Sequence, residues 1–230
     1  MNTRLLPASA TALVVGVLAV GLTACSSGSS DSSGGSSGSA SASASASKGP
    51  DLVANVASLT GQTTSVALST TFTDALSTLK LTPGVVGTAK LENGSLVFPI
   101  TGGNVKYYTP GTRDPYVIGD IQHQGSGITL TGGSTVVTLQ NFDIDPGGSR
   151  LYGDVSANGA PVGQHLYLFN LDGSTLKPLQ TDQAAGTATL TGTRVLVSPD
   201  AADLLNKTFN TTAVTDTLEV GIATIVINAG

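Results

Sequence analysis

Tryptophan is absent from this 230-residue chain, cysteine and methionine occur once each, and histidine occurs twice. A single thiol, Cys25, excludes an internal disulfide and a thiolate metal cluster. Charge is scarce as well: Asp, Glu, Lys and Arg make up 11% of the residues, with 10 basic against 15 acidic and no basic run. That balance excludes a nucleic-acid partner, which needs a clustered positive footprint. No apolar run reaches the roughly 20 residues that span a bilayer as a helix; Ala12 to Leu22 is about half that. Aromatic residues amount to 4%, so a core must be built from aliphatic side chains, and the 40% hydrophobic content suffices for one. Thr, Ser, Asn and Gly are left to supply most of the polar surface.

What is present begins with an address. Arg4 stands before the apolar run, and small residues follow it, which is the three-part layout of a secretory signal. Leu22-Thr23-Ala24-Cys25 resembles the lipobox of bacterial lipoproteins, and the only cysteine of the chain falls at the position that motif requires. The resemblance implies that a signal peptidase cuts before Cys25 and that the thiol carries a diacylglyceryl group, with palmitate as a label. Two acyl chains hold a protein to a membrane where one chain binds marginally. The expected location is the extracytoplasmic face of the cell membrane, lipid-anchored; an ordinary secretory signal with an incidental cysteine is the alternative. Three segments follow: residues 1–24 as signal peptide, 25–49 as lipidated cysteine and tether, and 50–230 as a displayed domain.

From Ser26 to Ser47 every residue except Asp31 is Ser, Gly or Ala, so nothing there buries enough apolar area to offset the entropy of ordering. A flexible tether spanning roughly 25 Å is expected from such a composition. Gly34-Gly35-Ser36-Ser37-Gly38 fits a hydrolase elbow by chance, since no strand and helix flank it. Beyond it, short β-branched runs alternate with Asn93-Gly94, Gly102-Gly103, Gly132-Gly133 and Pro146-Gly147-Gly148 at hairpin spacing. The pattern predicts strands at Val86–Leu91, Ser95–Ile100, Val105–Tyr108, Tyr116–Ile121, Ile128–Thr131, Thr135–Asp145 and Leu151–Val155. Gln164–Leu171, Gly186–Val197 and Leu218–Ile227 add three more. Leu68, Phe72, Leu76 and Leu79 recur at helical spacing, and Ser198-Pro199 opens a second helix over 201–209. The expected fold is mainly β, an antiparallel β-sandwich or barrel-like meander with two short helices.

Four pieces between Asn93 and Val155 are similar to the HtaA-type domain, a bacterial surface module known from haem-uptake proteins. They are Asn93-Gly94-Ser95-Leu96-Val97-Phe98-Pro99-Ile100-Thr101-Gly102-Gly103, Ile121-Gln122-His123-Gln124-Gly125, Asn141-Phe142-Asp143-Ile144-Asp145 and Leu151-Tyr152-Gly153-Asp154-Val155. In haem-binding members a tyrosine on a short N-terminal helix ligates the iron, and a histidine hydrogen-bonds to it. By resemblance His123 is that histidine. The helix here reads Thr71-Phe72-Thr73-Asp74-Ala75, so Ala75 stands where the ligand tyrosine belongs.

His123, Tyr107 and Tyr108 are therefore the candidate ligand-binding residues, with Tyr116 on a nearby strand, because imidazole and phenolate both serve iron. The bland reading is a half-buried tyrosine surface on a pleat. His165 and Tyr167 share a strand face by period two with no acidic residue beside them in sequence. Asn141, Asp143 and Asp145 alternate before Pro146-Gly147 like calcium ligands, but lack the Gly and Glu of an EF-hand loop, so no metal is assigned. Nothing pairs a nucleophile with a base in a strand-to-helix setting. The first reading is a non-catalytic, membrane-anchored binding or structural module whose partner is an unknown extracellular ligand or protein, without cofactor. A haem-binding lipoprotein is the alternative, and a secreted hydrolase, supported only if Ser126 reaches His123, comes last.

Cys25→Ala is expected to abolish metabolic labelling with palmitate and to release the protein or leave its signal uncut. A wild type that takes up no label, with a mutant that stays on the membrane, refutes the anchor.

Overall fold

The computed structural model describes residues 49–229; the signal, lipobox and tether readings lie outside those residues. Thirteen strands and two helices follow one another as β1 (Leu52–Val56), β2 (Thr63–Leu68), α1 (Thr70–Thr78), β3 (Thr82–Gly87), β4 (Lys90–Glu92), β5 (Ser95–Pro99) and β6 (Gly102–Tyr108). The second half holds β7 (Val117–Gly132), β8 (Thr135–Asp145), β9 (Arg150–Ala157), β10 (Ala160–Asp172), β11 (Gln180–Asp182), β12 (Thr187–Val197), α2 (Pro199–Phe209) and β13 (Glu219–Asn228). All pair antiparallel along one unclosed path, β1-β6-β7-β8-β9-β10-β12-β13-β2-β5-β4, with β3 added to β7 and β11 to β12. The expected mainly β architecture with two short helices is what forms.

Two strands turn this path into a double layer. β10 pairs with β9 from Ala160 to Asn170 but with β12 only from Phe169 to Asp172, so the layers part where β12 leaves it. β7 pairs with β6 over Gly102–Tyr107 and then, past an irregularity between His123 and Gly127, with β3. At that switch Gly87 has φ +62°, and a Cβ there would collide with the carbonyl oxygen of Gly125. Only glycine permits that approach. The same break makes one 16-residue strand look like two in the sequence.

Each helix starts on a serine that also ties it to the sheet. Ser69 Oγ accepts from Phe72 N–H at 3.0 Å and donates to the Glu219 carbonyl at 2.6 Å, and Phe72 and Leu76 bury the inner face of α1. Ser198 Oγ accepts from Ala201 N–H at 3.0 Å and donates to the Tyr167 carbonyl at 2.7 Å, while its own N–H reaches the Leu168 carbonyl. On the outer face Arg194 links three strands, reaching Asp172 at 2.9 Å and Glu219 at 2.7 Å.

Ser198 is fully buried, so Ser198→Ala removes a helix cap and strands the Tyr167 carbonyl. Thermal unfolding should show a loss of about 2 kcal/mol, or roughly 4–8 °C for a domain of this size. An unchanged midpoint would show that the cap carries no load.

Candidate functional site

The interior divides into a packed half and an open half. In the packed half Phe98, Phe142 and Phe169 meet edge to face, Phe98 to Phe142 at 5.3 Å and 90°, and His123 joins Phe98 at 6.3 Å and 80°. His123 points inward from β7 with 1% of its surface exposed, and its Nε2 lies 2.8 Å from Thr64 Oγ1 on β2, a strand not adjacent to β7 in the sheet. Its Nδ1 has no partner in hydrogen-bonding geometry. Burial pushes the imidazole down to about 4, against a smaller upward pull from backbone groups of Phe142 and Ile121, so it is neutral at physiological pH.

Beyond Thr64 lies the open half, a cavity of about 540 Å³ walled by ten of the strands. Its lining is largely aliphatic, with Val66, Val105, Ile121, Val195 and Ile225 among the walls, Ala188 and Ala223 where larger side chains would fill it, and a few polar groups such as Thr64, Thr193 and Asp114. At about 24 cal/mol per Å³ a dry void of that size costs on the order of 13 kcal/mol, as much as a domain's whole stability. The space is therefore no packing defect; it is opened to solvent or filled. Its volume falls in the range of small-molecule sites, roughly 300–1,000 Å³.

Tyr107 is buried on β6 and forms part of the cavity wall together with Tyr116, edge to face at 5.7 Å. Burial, and then the neighbouring Tyr107 phenol, push the Tyr116 hydroxyl up from its ordinary value. Tyr108 turns the other way, as period two demands, and lies under the Arg113 guanidinium at 4.9 Å.

The structure thus does not gather the predicted trio. Tyr107 pairs with Val117, six residues along β7 from His123, which is a separation of roughly 20 Å at 3.3 Å per residue. His123 is bound to Thr64, and α1 presents Ala75 half-buried with no tyrosine on any turn. Ser126 Oγ donates to the His123 carbonyl at 3.0 Å, leaving the ring untouched, so no serine–histidine nucleophile forms there.

The acidic alternation also splits up. Asn141 donates to Asp154 at 2.8 Å, Asp145 caps the N–H of Gly148 at 2.9 Å, and Asp143 turns toward Asp120 and His165. His165, without an acid beside it in sequence, gains Asp143 at 3.9 Å from two strands away and stacks on Tyr152 at 4.4 Å and 11°. Its φ of 49° marks a bulge that places the ring there. Sequence reasoning missed this outward cluster because the bulge breaks the alternation. Desolvation and the Asp120 carboxylate hold Asp143 up at about 7.

These shifts oppose each other with pH. The unfolded His123 takes a proton near pH 6.5 and the native one near 4, so its contribution is present above 6.5 and lost as pH falls toward 4, by roughly 3 kcal/mol. Asp143 contributes below about pH 4, and that contribution is lost as pH rises through 7. His123→Gln should flatten the acid limb of stability in denaturant melts. Asp143→Asn should raise the thermal midpoint more at pH 8 than at pH 4.5; equal gains at both would show that no proton is shared.

No family model and no curated protein matches the chain. Among solved structures, the C-terminal domain of HtaA from Corynebacterium glutamicum is similar at 16% identity and a TM-score of 0.54, covering 75% of this chain and 99% of that one. The haem-binding protein HtaB from the same organism aligns at 10% identity and a TM-score of 0.47, over 76% of this chain and 95% of its own. The chain shares the fold of the HtaA C-terminal domain.

Proposed function

We propose that this chain is an exported, non-catalytic binding module that holds an apolar molecule of haem size between the two layers of its sheet. The observation that carries this reading is the cavity of about 540 Å³ with its aliphatic wall. Display by lipid on Cys25, on the extracytoplasmic face of the membrane, completes it. A module in that position meets molecules that water does not carry, and a pocket of this kind withdraws them from water.

Haem is the second, sharper reading. Two observations favour it: the fold shared with the HtaA domain, and two phenols, Tyr107 and Tyr116, at the cavity wall. Phenolate is an iron ligand, and these are the groups that would hold the metal, since His123 is sealed behind Thr64. At the helix position of the family's ligand the residues do not fit the group.

Titration of the full chain with an uncharged, environment-sensitive dye should give saturable one-to-one binding with blue-shifted emission. A parallel haemin titration separates the readings. A shifted Soret band that Tyr107→Phe and Tyr116→Phe abolish establishes haem in the cavity; a dye that binds while haemin's spectrum stays unperturbed leaves the apolar site and removes haem. Absence of both would overturn the proposal.

A further inference from the structure

The charge around the cavity, rather than its size, selects among apolar ligands. No lysine or arginine lines it, and the only ionisable side chains in the wall are Asp114 and the two tyrosines. Three cations neighbour wall residues in the chain: Arg113 beside Asp114 and Lys177 beside Leu176 on loops, and Arg150, the first residue of β9, beside Ser149. Arg113 is laid over Tyr108 and Arg150 over Tyr167, each at 4.9 Å, on rings that are not part of the wall in the first case and lie on the outer face in the second. Asp51, Asp114 and Asp145 stand on the same edges, so three carboxylates match the three cations and no positive charge lies on the wall itself. A carboxylate or a propionate drawn inside would shed water without finding a counter-charge on the wall.

Water is a poor occupant too. At a share of roughly 30 Å³ each, about 18 molecules would be needed, and each wants two to four polar partners; the wall's few polar side chains, Thr64, Thr193 and Tyr107 among them, are too sparse to serve that many. Hydrocarbon meets both conditions.

Position supplies the source. Val53 on the rim of the cavity is 57% exposed, and its neighbour Leu52 is 51% exposed, an apolar lip on the first strand. The chain enters the domain at Gly49, at most about 14 Å of extended backbone from Val53.

We propose that the cavity takes the hydrocarbon part of an uncharged long-chain lipid, drawn from a membrane past the Leu52–Val53 lip. This rests on the reading of the cavity as a ligand site and narrows it. The ligand is recognised by length and neutrality: tails lie against Val66, Ala188, Ala223 and Ile225, and the head stays near Asp114.

The test is transfer from phosphatidylcholine vesicles to the full chain, followed by pyrene fluorescence and gel filtration. The vesicles carry either pyrene-labelled diacylglycerol or a pyrene-labelled fatty acid of equal chain length, with haemin as a third probe. The neutral probe should transfer at least about tenfold more tightly than the fatty acid, and Asp114→Lys should narrow that gap. Ala188→Phe, which fills the cavity, should weaken neutral transfer about tenfold. If circular dichroism shows that this variant does not fold, Leu190→Trp on the same wall replaces it. Equal or tighter binding of the fatty acid or of haemin overturns this inference and leaves the binding module standing. Failure of all three probes overturns both.

Discussion

The hydrogen bond between His123 and Thr64 joins the two layers from inside, and it is the only buried hydrogen bond between side chains among the described residues. A double-layered sheet has to fill the space between its walls, and this chain has few large side chains to do it. The three phenylalanines and His123 are spent on one side of the tie, where they interlock edge to face. On the other side no phenylalanine enters, the walls are mostly Ala, Val, Thr, Ile and Leu, and a cavity of about 540 Å³ remains between them. Thr64 and Val66 on β2, with Ile144, Leu151 and Val195 on three other strands, touch both halves and form the partition. A buried polar pair is expensive to break, because each partner left behind must remain dry and unpaired. The boundary between packed and open interior is held by that cost rather than by shape alone.

The outer face obeys a different economy. With charges scarce, ionic contacts concentrate where strands need registering: Arg194 joins β10, β12 and β13, and the Asp143–His165–Tyr152 group spans β8 to β10 around a bulge. These pairs are half-exposed and contribute modestly to stability. Their effect is on alignment, since a one-residue slip would turn inward every side chain that now faces out.

Much of this frame was legible in the residues. Asn93-Gly94, Pro146-Gly147-Gly148 and Ser198-Pro199 mark turns and a cap because each supplies a backbone geometry that few residues adopt, and the structure uses all three. β1, β2 and β11 escaped notice: Leu52–Val56 and Thr63–Leu68 are short, lie beside no hairpin glycine pair and find their partners far along the chain. Periodicity separated Tyr107, which faces in, from Tyr108, which faces out. It could not tell that Tyr107 and His123, both facing in, stand at different depths, because depth is set by register between strands. The cavity was illegible for a deeper reason: it is the absence of volume at positions spread over ten strands, and no local pattern records an absence.

That property bears on what the fold can be used for. The frame is specified by turns, glycine switches and two serine-capped helices; neither helix lines the cavity, and of the named turns only Pro146 and the adjoining Ser149 reach it. The shape of the cavity is set by wall side chains, Ala188, Ala223, Leu190 and Thr193 among them. Each methylene added or removed there changes ligand contact by about 0.8 kcal/mol, small beside the frame's stability but several-fold in affinity. On the proposed reading, changing what the cavity accepts takes few substitutions and no change of fold. Ala75 in α1 stands apart from that wall, so the residue on this helix and the side chains lining the interior beyond Thr64 can vary independently on one scaffold.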